Sequence, residues 1–151
     1  RTILFVQFGT NALREYSPEQ HSSLDAFVHR MDELITLARR NKVNIVLCTP
    51  LAQPYYKDGE LVDRLGGYAE AVRRMAAYNH VALLDLEQAT RTWLASMSEE
   101  EAAQYYVSID KEQVKESEYL LNAEGAKVVA QMAKEAIKNV NSKKLKHILK
   151  K

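Results

Sequence analysis

Cysteine occurs once, at Cys48, which excludes a disulfide framework and any metal site built on cysteine. Glycine and proline are sparse, five and three residues in 151, so the chain is neither a collagen-like repeat nor a low-complexity linker. No apolar run approaches the roughly 20 residues of a membrane-spanning helix. Arg1-Thr2 passes at once into Ile3-Leu4-Phe5-Val6, which lacks the layout of a signal peptide. The four histidines, His21, His29, His80 and His147, have no metal-ligand spacing, and no glycine-rich phosphate loop follows any apolar run; neither a metal nor a cofactor is expected.

Against those absences stand 46% apolar and 27% charged residues, with a formal net charge of +1. A chain of this length buries roughly 70% of its unfolded surface on folding, enough for a core without covalent staples. Charge is uneven: Lys138, Lys143, Lys144, Lys146, Lys150 and Lys151 fall in the last stretch with no acid among them. We therefore divide the chain into a domain over 1-138 and a basic tail over 139-151. The tail contains no Arg and no aromatic residue, so it supplies neither bidentate phosphate clamping nor base stacking, and neither nucleic acid nor membrane is expected as a partner.

The pattern predicts alternating strands and helices. Ile3 to Phe8 is apolar except for Gln7 and ends at Gly9, as in a strand covered on both faces. Ser17-Pro18-Glu19-Gln20 reads as a capping box opening a helix from Pro18 to Arg40, whose stripe is Leu24, Phe27, Val28, Met31, Leu34, Ile35 and Ala38. Val43 to Cys48 is a second strand stopped by Thr49-Pro50. Leu51 to Gly67, with its Asp58-Gly59 turn pair, reads as a long loop. Tyr68 to Asn79 is a helix, Val81 to Leu84 a third strand, and Leu86 to Met97 and the segment capped by Ser98 two further helices. Asn122 caps a last helix with a stripe of Ala126, Val129, Ala130, Ala133 and Ile137. Such alternation implies parallel pairing with right-handed crossovers. The fold class is α/β, a flavodoxin-like three-layer sandwich with a parallel sheet, here of about three strands. Ligands are expected beyond the C-terminal strand ends, at Gly9 to Ala12, Thr49 to Pro54 and Asp85.

Most chemistry-bearing residues there have an ordinary reading. Cys48 inside a strand is a small buried hydrophobe, Asp85 caps the helix after it, and His29 and His80 are exposed. Gly9-Thr10-Asn11-Ala12 carries more, because a glycine permits a sharp turn and an Asn at a strand end can donate into a cleft.

Phe5-Val6-Gln7-Phe8-Gly9-Thr10-Asn11, Ser17-Pro18-Glu19-Gln20, Val46-Leu47-Cys48-Thr49-Pro50, Gly67-Tyr68-Ala69-Glu70-Ala71-Val72-Arg73-Arg74, Leu83-Leu84-Asp85-Leu86 and Leu121-Asn122-Ala123-Glu124-Gly125-Ala126 occur in that order. Their order and spacing resemble the SGNH/GDSL hydrolases, nearest to the rhamnogalacturonan-acetylesterase-like branch, from residue 2 to about 138. In that family a serine attacks an ester, a Gly and an Asn hold the oxyanion, and a late Asp-x-x-His supplies orienter and base. Serine is a weak nucleophile until a base takes its proton, and the tetrahedral oxyanion needs fixed donors.

The resemblance makes Gly9 and Asn11 oxyanion-hole-like, although Ala12 stands where the family has Asp. It implies a Gly-Asp-Ser block some tens of residues ahead of Ile3, which these residues do not contain. Anchored on Asn122 and Gly125-Ala126, the last block puts Ser117 at the Asp position and Leu120 at the histidine. A one-residue shift offers Glu116 and Tyr119 instead, and restores no histidine. Catalytic residues are thus none in this chain, and losing the histidine alone costs roughly a million-fold in a serine hydrolase. The implied function is a pseudoesterase module that binds a carbohydrate or acyl-ester ligand or a partner. The competing reading is a fragment of an active acetylesterase of a pectic polysaccharide, with its serine on a missing segment. A flavodoxin-like signalling or redox domain shares the alternation but lacks the acidic cluster or phosphate loop it needs.

Thr10, Gln53, Tyr55 and Tyr56 would line the cleft, the tyrosines stacking on a sugar ring. The family's strand equivalent to Ile3-Phe8 is internal, which implies here a bare edge open to the tail, a second copy or a partner chain. The family is usually secreted; the residues themselves do not reveal a location.

Overall fold

A computed structural model describes residues 2–10, 23–65, 67–107 and 120–140. Three parallel strands, β1 (Ile3–Gln7), β2 (Asn44–Cys48) and β5 (Ala82–Leu84), pair in the order they occur. β1 aligns Ile3 with Asn44 through Gln7 with Cys48, and β2 aligns Val46 with Ala82 through Cys48 with Leu84. The expected parallel three-layer α/β architecture is the one observed.

β2 is central, and its continuous apolar run reflects burial on both faces. Ile45 and Leu47 join Val6 in a core with Phe27, Met31 and Ile35 of α1 (Leu24–Arg40) and Val72 and Met75 of α2 (Gly67–Tyr78). Phe27 and Tyr68 meet edge to face in that layer, with ring centroids 5.2 Å apart. Val46 and Cys48 face the opposite layer, packing with Leu84 of β5, with Leu86 at the start of α3 (Leu86–Ala95), with Ala133, Ala136 and Ile137 of α5 (Ala123–Asn139) and with Val140 just after it. A third cluster joins Ala52 and Leu94 to Ala102 of α4 (Glu99–Ala103), with Tyr56, Leu61 and Trp93 against it.

Four expectations are corrected. The first helix does not run unbroken from Pro18, because Ser23 is extended (φ −59°, ψ 156°) and caps Leu24 by accepting from the Ala26 amide; Ser17-Pro18-Glu19-Gln20 lies outside the described residues. β1 is not covered on both faces: it is the sheet's edge among the described residues, and Leu4 and Phe5 are 37% and 44% exposed, with Phe8 beyond it at 58%. The stretch 51–67 contains a small antiparallel hairpin, β3 (Tyr56–Lys57) and β4 (Glu60–Leu61). Its two turn residues, Asp58 and Gly59, both have positive φ (52° and 83°), the geometry of a tight two-residue hairpin turn. Finally, Ala126 and Ala130 are exposed and Val129 is half-buried, while Ala133, Ala136 and Ile137 pack. The rotation of α5 is set at its first turn, where Gly125 lies buried against the Tyr105 carbonyl.

Candidate functional site

The C-terminal ends of β1, β2 and β5 are tied by side chains rather than by further strand pairing. Gln7 donates from Nε2 to the Thr49 carbonyl at 3.0 Å. The fully buried Thr49 hydroxyl donates to Asp85 at 3.2 Å and accepts from the Glu87 amide at 2.8 Å. Asp85 caps α3, as expected of it, by accepting from the Gln88 amide. It also receives Arg73 from α2 in a two-pronged contact, at 2.8 Å from Nε and 3.0 Å from an Nη. The same guanidinium reaches Glu87, whose side chain is only 4% exposed and whose other oxygen lies 2.9 Å from Arg91. Burial pushes the Asp85 carboxyl up, but Arg73, the Gln88 amide and Thr49 outweigh it and hold the group below the ordinary carboxylate value. The sequence reading missed this cluster. Its trace is the Asp-x-Glu spacing of Asp85 and Glu87 directly after a strand, which places both carboxylates at the first turn of α3.

Beside this cluster lies an open cavity of about 670 Å³. Its walls come from the chain leaving β2, at Ala52 and Gln53, from the β3–β4 hairpin and from one face of α3. Ala52 is pinned by its amide donating to the Thr90 hydroxyl at 2.9 Å. Tyr56 is locked by its hydroxyl donating to the Leu94 carbonyl at 2.7 Å. Glu60, Asp63, Glu87, Arg64 and Arg91 all line the cavity, three acids to two bases, so its formal charges nearly balance. Between them Gln53, Gln88, Thr92 and Ser96 supply amides and hydroxyls.

The cleft residues expected from the sequence divide. Gln53 and Tyr56 line the cavity; Tyr55 and Thr10 do not. Tyr55 instead lies under the Arg64 guanidinium, 4.8 Å from its ring centre. Gly9 adopts φ +129°, and a β-carbon there would stand 3.2 Å from Pro50 and 3.5 Å from Tyr68, so the turn after β1 accepts glycine for both conformation and space. Asn11, Ala12, Ser117, Glu116 and Tyr119 lie outside the described residues. Leu120 is 51% exposed, and its carbonyl accepts from the Val107 amide at 2.7 Å.

No histidine among the described residues stands near the strand ends. His29 is exposed on α1 opposite Glu33, and His80, exposed with φ 51°, occupies the turn that enters β5, at the other end of the sheet. Cys48 is buried, and desolvation pushes its thiol up to about 11, as expected of a core residue. Among the described residues no group of His, Cys, Asp and Glu forms a metal site, and no helix is long and apolar enough to cross a membrane.

A parallel sheet with helices on both faces, a tight glycine turn after its first strand and a polar cavity beyond its strand ends accompany similarities that support an SGNH/GDSL esterase-like relationship, on the side of the carbohydrate acetylesterases. Over 105 residues the chain is 27% identical to the probable rhamnogalacturonan acetylesterase YesY of Bacillus subtilis (strain 168), covering 69% of this chain and 48% of that protein. Among solved structures it resembles the protein YxiM of Bacillus subtilis, with a TM-score of 0.71 at 19% identity, covering 90% of this chain and 36% of the other. Axe2, an acetylxylan esterase from Geobacillus stearothermophilus, follows at a TM-score of 0.65 and 18% identity, covering 89% and 58%. The chain thus spans about half the length of the curated relative, and no family model matches it.

Proposed function

We propose that this domain binds a neutral, acetylated saccharide in the cavity beside the strand ends and does not hydrolyse it. What carries the catalytic half of the reading is Leu120: anchored on Asn122 and Gly125-Ala126, the resemblance aligns it with the general base of the family's last block, and an alkyl side chain accepts no proton from a serine. Among the described residues the two histidines, His29 and His80, lie on an outer helix face and at the opposite end of the sheet.

The binding half rests on the cavity's lining. Near-balanced charge disfavours a strongly anionic or cationic ligand, while planar amides, guanidiniums and carboxylates interleaved with hydroxyls match the paired hydroxyls of a sugar. The names of YesY and Axe2 both support an acetylated polysaccharide, and of the two it is the acetylated xylan named for Axe2, with its uncharged backbone, that fits a charge-balanced cavity. The chain should therefore release no p-nitrophenol from p-nitrophenyl acetate above an unfolded control. A turnover blocked by an organophosphonate would overturn the catalytic half. Calorimetric titration with acetylated xylo-oligosaccharide should show saturable binding that Gln53→Ala and Gln88→Ala weaken about tenfold between them; binding indifferent to both would place the ligand elsewhere.

A further inference from the structure

Donors and acceptors around the cavity are not evenly mixed but separated along α3. The chain leaving β2 runs beside this helix toward its last turn, since Thr90 holds the Ala52 amide and the Leu94 carbonyl holds the Tyr56 hydroxyl. Gln53, with Gln88 and Arg91 of the helix itself, therefore occupies the half nearer the strand ends. There the two carboxamides carry NH2 donors. Arg91 meets Glu87 through Nε at 2.9 Å and one Nη at 3.5 Å, which leaves further N–H groups to donate.

The other half carries hydroxyls whose protons are already used. Thr92 donates to the Gln88 carbonyl at 2.9 Å and Ser96 to the Trp93 carbonyl at 2.7 Å, so each offers a ligand only the lone pairs of its oxygen. Glu60, next to the Leu61 that packs on the Leu94 cluster, adds a carboxylate, which also only accepts. Of the remaining charged groups in the wall, Arg64 lies on the Tyr55 ring and Asp63 accepts from the Leu65 amide. Gln88, Thr92 and Ser96 recur every fourth residue on one face of α3, and the helix rises about 12 Å between the first and the last. That is longer than one pyranose ring.

We propose, on the saccharide reading of this cavity, that it takes a partially acetylated oligosaccharide in one direction, with an acetylated residue at the Gln53, Gln88 and Arg91 end and residues with free hydroxyls along Thr92 and Ser96. An acetyl ester carbonyl accepts and has no proton to give, so it suits carboxamide and guanidinium donors and not hydroxyls whose protons are committed. A free sugar hydroxyl donates to Thr92, Ser96 and Glu60. Two acceptors brought together without a proton between them are both desolvated and unpaired. Discrimination thus lies in the pattern of acetylation, with Thr92 and Ser96 acting against the wrong one.

Protein-observed NMR titration with two xylotrioses tests this, one acetylated on a single terminal residue and the other on every hydroxyl. The chain should bind the first at least tenfold more tightly. Thr92→Val combined with Ser96→Ala, both on the exposed face of α3, should weaken the first ligand about tenfold, leave the second unchanged and so erase most of the difference. With carbon-13 in the acetyl methyl of the first ligand, nuclear Overhauser contacts should appear to the Gln53 and Gln88 side-chain amides and not to Ser96. Equal affinity for the two ligands, a preference that survives in the double variant, or a methyl beside Ser96 overturns the direction and leaves the saccharide reading standing. Binding of neither ligand overturns both.

Discussion

Arg73 is the residue on which the strand ends depend. It leaves α2 to meet Asp85 and the nearly inaccessible Glu87, joining three elements through one guanidinium. Removing one member of such a cluster strands a charge in a poorly hydrated place. Arg73→Met should cost about 3 kcal/mol in urea denaturation, and adding Glu87→Gln to that variant should recover part of the loss. Asp85 contributes a pH dependence with a definite sign. Its carboxyl is held below the ordinary value in the fold, so its contribution is complete above the unfolded value near ~4 and is lost as pH falls through the lower folded one. Asp85→Asn should flatten the decline in stability below about pH 4. At Cys48, burial and a thiol pushed up to about 11 predict that a disulfide reagent at pH 8 reacts more than roughly a hundredfold slower with the native chain than with the chain in denaturant.

Elements explain which parts of the fold were legible from sequence. β2, α2 and the capped starts of α4 and α5 follow from local signals that the tertiary structure does not contradict. Ser98 and Glu101 form their capping box, and Asn122 accepts from the Gly125 amide. The rotation of α5 was not legible, because it depends on Gly125 approaching a carbonyl 20 residues away in sequence rather than on the period of its alanines. A β-carbon at Gly125 would stand 2.1 Å from the Tyr105 oxygen. Gly125→Ala should thus destabilise by about 3 kcal/mol in chemical denaturation, whereas in an open helix the same change stabilises by about 1 kcal/mol. The sign alone separates the two cases. The hairpin of residues 56–61 was half legible: Asp58-Gly59 marked the turn, but strands of two residues leave no periodicity to read.

For the whole molecule, the apolar run of β1 correctly marks a strand of a parallel sheet and says nothing about how much of it is covered, since coverage depends on what lies beside it. The functional site was legible in the same uneven way. Gly9 and the loop residues Gln53 and Tyr56 could be singled out because turn chemistry and strand-end placement are local properties. The Arg73 cluster and the cavity arise only when α2, α3 and the hairpin converge. What the whole molecule presents is an esterase-like framework with a built polar cavity that, under the proposed function, no base serves. One measurement addresses both parts: a solution NMR time course of the chain mixed with acetylated xylo-oligosaccharide, following protein amides and free acetate in the same sample. The expected result is saturable movement of the Gln53, Gln88 and Thr92 amides with acetate staying at the level of the protein-free control. Acetate accumulating with protein concentration, or amides that never move, would contradict it.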